Sequence, residues 1–115
     1  MFCKIIKGEI PSKKIYEDDE ILAFKDINPV APVHVLIVPK KHIAKIAEAG
    51  EEDMKVLGKI QLIAAKIAKD LGTGETFRIS NANGENAGQS VFHLHYHLLG
   101  GWKDKTKIVY EVDKN

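Results

Sequence analysis

The sequence predicts an α+β fold with a mainly antiparallel sheet, and three observations carry that prediction. One long stretch, Glu51–Leu71, has helical periodicity. A late stretch, Val91–Leu99, alternates residue by residue, as a strand does. Strand-like segments stand on both sides of the helix without the regular alternation that builds a parallel sheet.

Lys14–Glu17 and Ile21–Lys25 read as two short strands separated by the turn Asp18-Asp19-Glu20. Asp26–Pro32 contains two prolines three apart, which remove backbone donors and push the preceding residues toward extended shapes, so it is irregular. Val33–Val38 is rich in β-branched residues and reads as a central strand ending at Pro39. In the helix, Leu57, Ile60, Ala64, Ile67 and Leu71 recur at helical spacing. Glu51, Glu52 and Asp53 place negative charge in its first turn, where the dipole favours it, and Gly72 stops it. Phe77–Ser80 is the next strand, and Asn81–Gly88 is a loop of turn residues. Val91–Leu99 is the last strand, closed by Gly100-Gly101.

A chain of 115 residues fits one domain spanning 1–115. With 17 basic and 16 acidic residues it lacks the basic footprint of a nucleic-acid binder, so a bound phosphate must be met by local donors. No run approaches the ~18 apolar residues of a membrane span, and the N-terminus lacks the apolar stretch of a signal peptide. The lone cysteine, Cys3, rules out a disulfide framework within the chain and favours a cytoplasmic location.

The chemistry concentrates in Val91-Phe92-His93-Leu94-His95-Tyr96-His97-Leu98-Leu99. On a regular strand His93, His95 and His97 share one face and Leu94, Tyr96 and Leu98 the other. Three uses compete for such a face. A shared zinc is disfavoured, because the outer pair is separated by about 13 Å of strand while Zn–N bonds are about 2.0–2.1 Å. A hydrogen-bonded histidine face without chemistry is the second. Acid–base or nucleophilic work near neutral pH is the third. The preceding loop, Asn83-Gly84-Glu85-Asn86-Ala87-Gly88-Gln89-Ser90, offers amides, a hydroxyl and close backbone approach, all of which suit an anion; read alone it is more often an ordinary Asn/Gly turn, and it gains weight beside three aligned histidines.

His93-Leu94-His95-Tyr96-His97-Leu98-Leu99 resembles the His-φ-His-φ-His-φ-φ signature (φ apolar) of the histidine-triad, or HIT, superfamily. Ala87–Phe92 resembles the segment that precedes it, and Asp26–His42 and Phe2–Pro11 resemble the family's N-terminal blocks. The resemblance covers residues 2 to 101 and points to the Hint branch of purine nucleoside phosphoramidases. It implies a five-stranded sheet with one long and one short helix, and a homodimer whose two sheets join into one. It further implies that His95 attacks the α-phosphorus of a purine nucleotide such as an AMP conjugate, forming a nucleotidyl-histidine that water hydrolyses. By the same resemblance Ser90 helps protonate the leaving group, His34 orients His95, and His93 is structural. Asn83, Gly88, Gln89, Ser90, His95 and His97 meet the phosphate, Asp26 takes the ribose hydroxyls, and Phe2, Ile5, Phe24 and Ile27 form the slot for the base. No cofactor and no metal are expected, since family members that bind zinc carry two N-terminal cysteines and this chain has only Cys3.

Two departures stand out. The Asn81–Gln89 loop is about one residue longer than the Hint pattern, leaving Asn81 or Asn83 as the phosphate-contacting amide, with Asn83 preferred. The tail Trp102–Asn115 is unlike that of the eukaryotic Hint proteins, which leaves the leaving-group preference open. A dinucleoside polyphosphate hydrolase of the Fhit type and a nucleotide-responsive binding protein are the alternatives.

Overall fold

The computed structural model of the chain describes residues 13–103. Five strands are present: β1 (Lys14–Glu17), β2 (Ile21–Lys25), β3 (Val33–Pro39), β4 (Phe77–Ser80) and β5 (Tyr96–Gly100). They form one sheet in the order β1-β2-β3-β5-β4, and every neighbouring pair is antiparallel. The long helix α1 spans Met54–Asp70 and lies between β3 and β4 in sequence. Short 3-10 turns cover Ile46–Glu48, Glu51–Asp53 and Glu85–Ala87 and are the only short helical pieces among the described residues.

The local reasons follow the sequence. Asp18 closes the β1–β2 turn, its carboxylate accepting from the amides of Glu20 and Ile21, both at 2.8 Å. The proline-rich stretch after β2 is irregular, yet its first residue still pairs, the Asp26 N–H donating to the His34 carbonyl at 3.1 Å. One face of α1 buries Val56, Ile60, Ile63, Ala64, Ile67 and Ala68 against Ile21, Ala23, Val35, Ile37, Tyr96 and Leu98 of the sheet. Gly72, at φ +81°, ends the helix in a backbone shape that a side chain would resist.

Three expected boundaries are corrected. The α-helix begins at Met54, not Glu51, because residues 51–53 wind as a tighter turn. Asp53 explains the tightness: it is buried, its carboxylate accepting from Gly50 N–H at 2.9 Å and from the Lys41 ammonium at 2.7 Å. Leu71, expected on the buried face, is the exposed residue just past the helix end. The last strand starts at Tyr96, not Val91. Residues 91–95 take their bonds from outside the ladder: Leu94 N–H donates to the Ile43 carbonyl at 2.6 Å, and the His95 carbonyl accepts from the Asn81 amide at 2.8 Å. The inward alternation survives this irregularity, since Leu94, Tyr96 and Leu98 all pack in the helix-side core.

The sheet therefore has two unlike faces. Leu22, Phe24, Leu36 and Val38 form a second apolar cluster, with Val91 packed against it. His34 on β3 and His97 on β5 alternate with helix-facing neighbours and so point to this second face. The register sets Leu36 opposite His97 and His34 opposite Leu99, which makes the two histidines diagonal neighbours within reach of one another.

Candidate active site

Four histidines, His34, His93, His95 and His97, are buried together where β3 and β5 meet. Their proton positions follow from backbone partners, because a carbonyl only accepts and an amide N–H only donates. The Val30 N–H donates to His34 Nδ1 at 3.2 Å, so the neutral His34 ring carries its proton on Nε2. That Nε2–H lies 2.8 Å from His97 Nδ1, which accepts and leaves the His97 proton on Nε2. His95 donates from Nδ1 to the His93 carbonyl at 2.8 Å, which leaves the lone pair on His95 Nε2. His93 donates from Nε2 to the Pro39 carbonyl at 2.8 Å, and its Nδ1 lies 3.3 Å from Nδ1 of His42.

The rings are also arranged in space as pairs. His95 and His97 stand edge to face with centroids 5.2 Å apart, and His34 and His97 are tilted at 5.1 Å. Burial pulls the proton affinity of His34, His93 and His95 below the usual histidine value. The Asp26 carboxylate opposes this at His34 and His95, and the bonds to backbone carbonyls oppose it at His93 and His95. Burial prevails at all three, so they favour the neutral form near pH 7.

Asp26 is fixed at the edge of this group. One carboxylate oxygen accepts from Asn28 N–H at 2.8 Å, and the other lies 3.4 Å from His34 Nε2. Possible ligand atoms of Asp26, His34 and His97 fall within 4.8 Å of one another. The Val30 amide argues against a metal there, because it fixes the proton on the His34 nitrogen that faces the group. That nitrogen offers a donor, whereas a metal needs its lone pair.

The phosphate loop differs in detail from the sequence expectation. Gln89 is 1% exposed, and its amide is fully engaged in holding the loop. Its oxygen accepts from Gly84 N–H at 2.8 Å, and its nitrogen donates to the Ala44 and Val91 carbonyls at 2.7 and 3.0 Å. Here Gln89 shapes the loop together with Gly88, whose N–H donates to the Glu85 carbonyl at 3.0 Å, and the exposed hydroxyl of Ser90 is the neighbouring donor suited to an anion. Asn83 is exposed; its oxygen accepts from Ile46 N–H at 2.7 Å while its nitrogen donates to Asn81 at 2.6 Å. Asn81 in turn holds the His95 carbonyl, so both amides brace the loop beside the histidines. Gly88 sits at φ +103°, and Ser90 next to Gln89 is exposed.

Of the expected base slot, Phe24 is buried in the apolar cluster with Leu36, on the sheet face that carries His34. Ile27 is 88% exposed, a large apolar side chain left in solvent one residue beyond Asp26. Phe2, Ile5 and Cys3 lie outside the described residues. The structure thus brings together Asp26, His34, His95 and His97, and hangs His93 on Pro39. Sequence reasoning gave no role to the Val30 amide, and it put His42 beside His93 only as a possible partial zinc site with Cys3, not as a pair of rings in contact. The position of His42, three residues past the end of β3, is the one sequence signal for that pairing.

A family model described as "HIT domain" matches residues 7–104. An uncharacterized HIT-like protein of Synechocystis sp. is 54% identical over 101 residues, which is 88% of this chain and 89% of that protein. Protein HitA of Neisseria gonorrhoeae is 46% identical over 100 residues, 87% of this chain and 94% of that one. Among solved structures, a HIT family hydrolase from Legionella pneumophila superposes with a TM-score of 0.88 at 44% identity, covering 93% of this chain and 96% of that one. A HIT family hydrolase from Clostridium thermocellum does so with a TM-score of 0.87 at 53% identity, covering 94% and 95%.

Proposed function

Because the chain belongs to the HIT domain family, we propose that it is a nucleotide-binding hydrolase that cleaves purine nucleoside phosphoramidates. The observation that carries this reading is the carbonyl-anchored ring of His95. With Nδ1 donating to the His93 carbonyl, Nε2 holds its lone pair, and burial keeps the ring neutral. That is the state a nitrogen nucleophile requires.

His95 Nε2 attacks the α-phosphorus, and a bond from phosphorus to that nitrogen forms as the bond to the leaving amine breaks. The amine keeps the bonding electrons and takes a proton through the Ser90 hydroxyl, which regains one from solvent. The nucleotidyl-histidine carries a positive charge, since Nδ1 keeps its proton, and this makes it a good leaving group. Water then attacks phosphorus and gives its proton to solvent; the bond to His95 breaks, and a nucleoside monophosphate departs. His97 Nε2–H is a donor suited to a phosphate oxygen, a role supported by the tautomer that His34 imposes. Asp26 accepts from the ribose hydroxyls, and exposed Ile27 offers apolar surface to the base.

The assay is turnover of adenosine phosphoramidate and of a diadenosine polyphosphate by wild type and His95→Ala. Wild type is expected to prefer the phosphoramidate, and the variant to lose at least ~10³-fold in kcat/KM. Full activity in the variant overturns the mechanism. Binding of AMP by wild type without any hydrolysis overturns the enzyme reading in favour of a nucleotide-responsive binding protein.

The proposal extends to a homodimer in the cytoplasm. β4 closes one end of the strand order, and Met54 and Leu62 on α1 are 70% and 74% exposed. A second copy that continues the sheet past β4 covers both the open edge and these side chains. Sedimentation is expected to give twice the chain mass for wild type and the single-chain mass for Leu62→Glu; a wild-type monomer at micromolar concentration ends the dimer proposal. Among the described residues no helix is long and apolar enough to cross a membrane.

A further inference from the structure

The carboxylate assigned to the ribose has a second neighbour. Asp26 is tied down on two sides, its N–H donating to the His34 carbonyl at 3.1 Å and its Oδ1 accepting from Asn28 N–H at 2.8 Å. These bonds leave Oδ2 facing inward, 3.4 Å from His34 Nε2, while the same Nε2–H points to His97 Nδ1 at 2.8 Å. That N–H is therefore given to the second imidazole, with the carboxylate oxygen standing beside the same nitrogen as a charge rather than as its hydrogen-bond acceptor. Ribose hydroxyls donating to the outer side of this carboxylate do not require that arrangement. Resting on the hydrolase reading above, we propose that Asp26 is also a positioning residue for the His34–His97 pair, its charge holding that pair and the neighbouring His95 ready to carry positive charge during turnover.

The physical case is electrostatic. His34 and His97 are buried, so the field of a nearby anion is poorly screened. Burial is the larger influence on His34 and His95 and drives both toward the neutral state; Asp26 is the charge that acts against it at each. Attack by His95 turns a neutral ring into a cationic one, and an anion already in place stabilises that change without rearranging. The groups facing the pair are Asp26 from the end of β2, His95 from the segment before β5, and the Val30 amide from the proline-rich stretch. Of these only Asp26 is an anion. Binding and catalysis thus meet at one side chain, whose Oδ2 serves the histidines while its outer lone pairs serve the sugar.

The test separates the two roles by removing the sugar's half of the contact. Asp26→Asn keeps the oxygen that accepts from Asn28, so the turn is retained while the charge is lost. Turnover by wild type and variant is measured with an adenosine phosphoramidate and with its 2′,3′-dideoxy analogue, which has no ribose hydroxyls. The proposal expects kcat on the dideoxy substrate to fall about tenfold in the variant, a loss equivalent to about one pKa unit. It also expects the ring nitrogens of His34 and His95, followed by ¹⁵N NMR without substrate, to titrate at lower pH in the variant. Asp26→Glu is expected to restore part of both effects. If the variant turns over the dideoxy substrate as fast as wild type and the titrations do not move, Asp26 serves the ribose alone and the proposal falls. Should wild type hydrolyse neither substrate, the hydrolase reading falls, and unmoved titrations in the NMR arm overturn the inference in their own right.

Discussion

The two faces of the sheet are made by the same strands and do opposite things. On the helix side, Val35, Ile37, Tyr96 and Leu98 meet Ile60, Ala64 and Ile67 of α1 in an apolar core. On the other side, one residue out of step, His34 and His97 are buried beside Leu36 and Phe24. Burial stabilises the first face, because apolar area leaves water. It opposes the second, because imidazoles lose solvation and survive only through bonds to Val30, Pro39, the His93 carbonyl and one another. The difference shows what the histidine face is for: a chain needing only a stable sheet has a simpler solution in a second apolar layer.

That contrast can be broken at several points. The largest effect belongs to His95→Ala, which should remove at least ~10³-fold of turnover while costing less stability than any large truncation on the helix side. Next is Ile60→Ala, a fully buried side chain in the middle of α1. It should cost about 2–5 kcal/mol in urea unfolding and leave kcat within a few fold. If Ile60→Ala abolished turnover in protein that is still folded, or if His95→Ala unfolded the chain, the division of labour between the faces would be wrong.

The smallest effect is a pH dependence. His34, His93 and His95 bind protons less readily folded than unfolded, with burial as the main cause. The unfolded chain therefore binds more protons as pH falls below the ordinary histidine value of 6.5. By linkage, stability should be level above that pH and decline as pH falls from it toward the lowered folded values. Urea midpoints measured between pH 8 and pH 5 should show this decline, and Ile60→Ala should show it in full while His95→Ala shows less of it. A stability that rose on acidification through this range would contradict the buried, neutral histidines.

Much of this was legible in the sequence. Both faces of the last strand could be read from alternation, because Leu94, Tyr96 and Leu98 face the helix even where regular pairing stops. The proline-rich stretch and the turn at Asp18 were equally plain, since Pro and Asp act locally. The start of β5 was not legible: Leu94 bonds to Ile43, about fifty residues away, and no local pattern reports that. For the same reason the phosphate loop was only partly read. Gln89 and Asn83 look like free amides in sequence, yet their partners are the carbonyl of Ala44 and the amide of Ile46, from a loop that folding brings near. The four-histidine cluster was recoverable only through family resemblance, since spacing alone cannot place His34 diagonal to His97.

The segment from Pro39 to Ile46 touches the histidine stretch and the loop before it at four places: the carbonyls of Pro39, Ile43 and Ala44 hold His93, Leu94 and Gln89, and the Ile46 amide holds Asn83. It acts as a gauge block, with its length setting where the nucleophile stands. Surface loops usually accept an extra residue at little cost, but one added between Pro39 and Ile43 would pull two of these anchors out of phase with each other. The length of this loop is therefore held more tightly than that of an ordinary surface connection.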